Sequence, residues 1–139
     1  PYKRRVVVTF NGGPKQHQAL FPGSDSQWYL IINAKIQKSH HLFLNDEENV
    51  TIESDKSEYG MPMPDELREL MNDDPTGDEL FHSLTPGTQR TLMHIIAKVK
   101  ASHLRERKSW VILEHLKNHP KLDYKALMAE MKEANQKNI

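Results

Sequence analysis

The dipeptide Thr85-Pro86 and the apolar residues that follow it constrain this chain more than any other feature. The Thr85 hydroxyl can accept from backbone N–H groups that a helix start leaves orphaned, and Pro86 has no N–H to waste at the first helical position. A helix is therefore predicted to begin at Thr85. Beyond it, Leu92, Ile95, Ile96 and Val99 recur at the three-and-four spacing that puts side chains on one face. Such a helix needs an apolar surface to lie against. The stretch around it, residues 78–117, holds the strongest helix signals and seven of the nineteen basic residues, and the rest of the chain is read relative to it.

Downstream, Ser102 and a loss of apolar spacing predict a break, then a helix from about Leu104 to Asn118. Trp110, Ile112, Leu113 and Leu116 are its apolar members, with Arg105, Lys108 and Glu114 turned to solvent. His119 and Pro120 stop it. Asp123 caps a last helix lined by Tyr124, Leu127, Met128 and Met131, and Leu122 and Leu127 have the spacing of a hydrophobic staple. Upstream, the two prolines of YGMPMP force an extended boundary after a polar segment. Pro64 then opens a short acidic helix with Leu67, Leu70 and Met71 on one face, and Asp74-Pro75 breaks it before a brief turn carrying Leu80 and Phe81.

The first third reads as strands. RVVVTF from Arg5 is rich in β-branched residues and runs into Asn11, Gly12, Gly13 and Pro14, a turn cluster. Gln16 to Phe21 is a second strand. QWYLII from Gln27 is a third, whose continuous apolar character predicts burial on both faces. Ala34 to His41 forms one or two helical turns, and NVTIES from Asn49 alternates with Val50 and Ile52 inward. Strands this short with turns this tight favour a compact barrel or a strongly curled sheet. The expected fold class is α+β: a small N-terminal β-barrel over residues 1–58, then over 59–139 a helical segment of three to four helices that opens with the acidic linker helix.

Composition narrows the chemistry. The 139 residues suffice for one sizeable core or two small layers. Nineteen basic and nineteen acidic residues leave no net field to single out a polyanionic or polycationic partner. The balance is local: from Tyr59 to Glu79 seven acids face one base, whereas from Leu80 onward eleven bases face five acids. Without cysteine there is no disulfide, thiolate catalysis or cysteine-ligated metal. No run approaches the roughly 20 apolar residues of a membrane span, and no leader pattern opens the chain. It begins at Pro1 without methionine, so a removed leader and a trimmed start both stay open. Cytoplasm is the expected compartment.

Candidate sites are few. His115 and His119 lie four apart on the predicted helix, but two ligands fall short of the three or four a zinc site uses. They read as imidazoles at an exposed helix end, and the expected metal set is none. Ser83 beside His82 has no nucleophile elbow around it, and Asp65, Glu66, Glu69, Asp73 and Asp74 lie in a polar stretch without an apolar pocket to raise a pKa. No catalytic residue and no cofactor is expected. One cluster stays open: Lys98, Lys100, Arg105 and Lys108, with Arg107 beside them, could neutralise phosphates if they converge, with Trp28, Tyr29 or Trp110 as a stacking face. The alternative is that they pair with the acidic segment or stay solvated.

Three strings carry a family resemblance: YGMPMPDEL from Tyr59, DDPTGDELFHSLTPGTQR from Asp73, and the bases Lys100, Arg105 and Lys108 ahead of ILEHL. Together with ALFPGSDSQWYLIINAKIQK in the first half, they resemble bacterial proteins of the YdeI/OmpD-associated, or bacteriocin-protection, type. The resemblance implies a small β-barrel domain followed by a helical segment, with no established reaction and genetic links to envelope stress and antimicrobial resistance. It points to a non-enzymatic interaction protein with a protein partner. The alternative is a nucleic-acid-binding protein that uses the basic helical residues.

Overall fold

A computed structural model describes residues 4–137 and divides the chain into two compact units, Pro1–Met61 and Pro62–Ile139. The class is α+β. The first unit holds β1 (Arg4–Phe10), β2 (Lys15–Pro22), β3 (Trp28–Leu30), the short helix α1 (Ala34–Ser39) and β4 (Val50–Ser54). The second holds α2 (Asp65–Asp73), α3 (Pro75–His82), α4 (Pro86–Ala97), α5 (Ser102–Asn118) and α6 (Tyr124–Lys137).

In the first unit, Asn11 and Gly12 take φ of 52° and 71°, the paired left-handed positions that a tight turn between twisted strands needs. The turn folds β2 back on β1, with Val6 opposite Gln18 and Val8 opposite Gln16. The strand order is β3-β2-β1-β4, all antiparallel. The expected barrel is thus a curled half-barrel whose two edges, β3 and β4, stay open. Its core is small: Val6, Val8, Phe10 and Leu42 are buried, and Leu20, Leu30 and Ile36 pack against them. Two expectations change here. β3 is three residues long, with Trp28 and Tyr29 exposed rather than buried on both faces. Val50 and Ile52 face the core side, opposite Phe10 and Val8, yet each stays over 40% exposed, and β4 is an edge strand with no described strand paired on its far side.

In the second unit the capping chemistry reads directly into structure. The Thr85 hydroxyl accepts from the Thr88 N–H and Pro86 opens α4. The same device operates at Asp74-Pro75, where the Asp74 carboxylate accepts from the Gly77 N–H at 3.0 Å and Pro75 opens α3. A Cβ on Gly77 would meet that carboxylate at 2.7 Å, which is why glycine stands there. The turn expected around Leu80 and Phe81 is therefore a full helix, and the unit has five helices rather than three or four. α5 packs against α2, α3, α4 and α6. It buries Ser109, Val111, Ile112, Leu113, His115 and Leu116 on several sides at once. Leu67, Phe81, Leu92, Met93, Ile96 and Leu127 complete this core with no solvent exposure. Tyr124 and Met128, expected to line α6 inwardly, are more than 40% exposed; Leu127 and Met131 alone carry that stripe.

Candidate functional site: the outer face of α5 and its two ends

The basic set of Lys98, Lys100, Arg105 and Lys108 lies at the α4–α5 junction, and it splits in two. Arg105, expected in solvent, turns inward. Its Nε and Nη2 each donate to Glu66 Oε1 at 2.8 Å, and its Nη1 donates to the Val99 and Lys100 carbonyls at the end of α4. Ser102 adds a third donor to the same Glu66 oxygen. The guanidinium first, with the backbone N–H and Ser102 also contributing, overcomes desolvation and holds the Glu66 carboxyl down at about 2. Lys108 donates to the Ile95 carbonyl at 3.1 Å, and burial, then repulsion from Lys98, lowers its pKa. Lys98 and Lys100 are exposed. Two of the four bases thus close the joint between α2, α4 and α5, and two face water.

At the other end of α5, His115 is buried rather than exposed, at 2%. Its Nε2 accepts the Asp123 backbone N–H at 3.2 Å, so the proton of the neutral ring sits on Nδ1, which donates to Glu130 Oε2 at 2.6 Å. His119 stacks on it with ring centroids 4.0 Å apart, and its Nε2 lies 2.8 Å from the other Glu130 oxygen. Glu130 thus clasps both rings from α6. Its carboxyl is desolvated, but these two imidazoles lower its pKa overall. The two imidazoles and Glu130 offer a possible cation-binding set, with ligand atoms within 4.8 Å of one another. The wiring of His115 opposes it: a metal on Nδ1 would move the ring proton to Nε2, against the Asp123 N–H, whereas a ligating histidine normally donates from its second nitrogen. The arrangement is a helix clasp. Glu130 lies fifteen residues from His115, a separation at which sequence spacing gives no signal.

With α5 packed by four helices, one stripe is left outward: His103, Glu106, Arg107, Trp110 and Glu114, at the i, i+3, i+4, i+7, i+11 positions of one face. Trp110 was expected in the core and is instead 54% exposed. It forms a ridge between two grooves. One, of about 550 Å³, runs between α2 and α5 and is lined by Glu69, Leu70, Asp73, His103, Glu106 and Trp110, among others. The second, of about 280 Å³, lies between α5 and α6 and includes Glu114, Glu130 and Glu133. Of the remaining residues weighed for catalysis, the Ser83 hydroxyl donates to the Leu80 carbonyl at 2.7 Å and finishes α3.

Residues 60–119, from the approach to α2 through the end of α5, match the model of the family described as "Bacteriocin-protection, YdeI or OmpD-Associated". No curated protein and no solved structure matches the chain. The matched segment contains the Glu66–Arg105 joint, both proline-opened helices and the outward stripe of α5. Over this helical segment, less than half of its length, the chain is similar to that family.

Proposed function

We propose that the chain is a non-enzymatic protein-interaction module of the bacteriocin-protection type, acting in the cytoplasm during envelope or antimicrobial stress. The observation that carries this reading is the apolar surface left on the sheet unit. Ile31, Phe43 and Leu44 are 62%, 65% and 88% exposed, and Trp28, Tyr29, Ile32, Val50 and Ile52 are each over 40% exposed. Scattered apolar exposure needs no explanation, but this many large side chains in a unit with so small a core is the pattern of a surface that is covered in use. No described helix is long and apolar enough to cross a membrane.

The test is cross-linked capture from a lysate of the producing cell with the full chain and with Phe43→Ser/Leu44→Ser. The double variant should keep its circular-dichroism melt and lose the main captured protein. An unchanged capture profile would remove the reading. The nucleic-acid alternative draws on Lys98 and Lys100, which face water. Anisotropy titration with mixed-sequence DNA and RNA tests it: binding that weakens steeply with salt supports phosphate contacts, and none at low salt removes them.

A further inference from the structure

We infer that the groove between α2 and α5 is a docking site for a basic, amphipathic peptide segment of a partner protein, with Trp110 as its anchor. The inference rests on the interaction reading above and names the partner's chemistry at a second surface.

Three observations converge. The groove has an apolar part to its lining, because Leu70 and Trp110 border it from opposite helices, and Trp110 is half exposed although its neighbours Ser109 and Val111 are buried. A large indole on the ridge that borders a groove offers area at low entropic cost, and such residues dominate interface energetics. Second, the walls are regular. Glu66, Glu69, Leu70 and Asp73 on α2 and His103, Glu106, Arg107 and Trp110 on α5 each follow the i, i+3, i+4, i+7 spacing, so two helical ridges border a channel suited to a third helix or an extended segment. Third, the charge selects the occupant. Glu66 is neutralised by Arg105, but Glu69, Asp73 and Glu106 make no ion pair among the described residues. Arg107, the one cation on the lining, donates to Asn135 on α6 at 3.1 Å. The carboxylates on the lip therefore favour lysine or arginine, and the indole face takes either an apolar side chain or a cationic head.

The experiment uses the full chain carrying Trp28→Phe, so that Trp110 is the sole indole, and three short acetylated peptides. One is an amphipathic helix of lysine and leucine, one replaces each lysine by glutamate, and one is lysine with no apolar residue. The lysine–leucine peptide should shift Trp110 emission to the blue and bind by calorimetry. The other two should bind at least roughly tenfold more weakly. Glu69→Gln/Asp73→Asn/Glu106→Gln should weaken the first peptide by about tenfold and flatten its salt dependence. Trp110→Ala, checked for an unchanged melt, should abolish it.

Equal binding of the glutamate peptide, indifference to the triple variant, or no binding at all would overturn the inference. Light scattering supplies a further arm: a dimer that Trp110→Ala dissociates would make the occupant a second copy and would also overturn it. If the peptides fail while Phe43→Ser/Leu44→Ser still loses its captured protein, this groove is wrong and the interaction reading stands.

Discussion

The two units solve the problem of burial differently. In the helical unit, α5 runs through the middle, so apolar side chains from all five helices meet around it and close a core that includes Phe81, Leu92, Ile96, Ile112 and Leu127. Each of its polar cross-links has one buried partner: Glu66, held by Arg105, and His115, held by Glu130. The sheet unit has a single layer of strands with one short helix, Val8 as its one completely buried large apolar residue, and two uncovered edges. A central helix closes a small unit on itself, whereas a curled sheet of four strands leaves apolar surface at its rims. The contrast assigns stability mainly to the helical unit and contact surface mainly to the sheet unit.

The unit-specific indoles, Trp28 in the sheet and Trp110 on α5, allow the contrast to be broken. With Trp28→Phe or Trp110→Phe as background, denaturant unfolding reads one unit at a time. The largest effect belongs to Phe81→Ala, which empties a fully buried site and should cost about 4 kcal/mol in the transition seen by Trp110. The transition seen by Trp28 should move far less. Equal movement of both would mean one cooperative unit and erase the distinction. Next comes Arg105→Ala, which strands Glu66 and leaves the Val99 and Lys100 carbonyls without that donor. A drop in melting temperature on the order of 5 °C or more is expected, partly restored by Glu66→Gln in the same chain.

Legibility in the sequence follows the same division. Local chemistry was readable: Thr85-Pro86, the Asn11-Gly12 turn, the Asp123 cap and every strand with β-branched residues lie where their residues predict. Asp74-Pro75 carries the same helix-opening chemistry as Thr85-Pro86, but the helix just before it made the pair look like a stop alone. The outward Trp110 was hidden for a different reason. A helix packed on four sides has no single apolar stripe, so an apolar residue on its one free face looks like another core position. Pairing of the basic set with the acidic segment is one of the readings the sequence leaves open, but not which base pairs with which acid, because Arg105 owes its inward turn to Glu66, thirty-nine residues away. The His115–Glu130 clasp depends on a helix–helix packing that spacing alone does not specify. Edge status is equally non-local: Val50 and Ile52 alternate as inward residues should, and only the strand order says that no described strand pairs beyond them.

Acid sharpens the comparison, since each unit holds one buried carboxylate. In the sheet, Asp55 is desolvated, yet Ser57 and His17 donate to it and bring its pKa from 3.8 down to about 2. In the helical unit Glu66 falls from 4.5 to about 2. A carboxyl depressed on folding contributes stability that is complete above its unfolded pKa and disappears as pH falls through the folded value. Both units should therefore weaken between about pH 5 and pH 2. For the sheet the Asp55 contribution is on the order of 1 kcal/mol after solvent screening. Asp55→Asn should lower the Trp28-reported stability at neutral pH and flatten its acid limb, leaving the Trp110-reported limb steep. A steep Trp28 limb in that variant would mean that another carboxylate governs the sheet.

The smallest expected effect is the most discriminating one for the sheet. Ile52 faces the core side opposite Val8 but remains 48% exposed at the open edge. Threonine keeps the β-branch and the strand propensity while removing apolar area, so Ile52→Thr should change the Trp28-reported stability by less than about 0.5 kcal/mol. If β4 is a contact edge, the same substitution should reduce capture of the partner, because the lost area is area the free chain never buried. A cost above about 2 kcal/mol, the range for a buried isoleucine, would mean that Ile52 is core and that the sheet is closed on that side. Loss of capture with stability intact would instead locate the binding surface along β4, in the unit whose own core leaves it open.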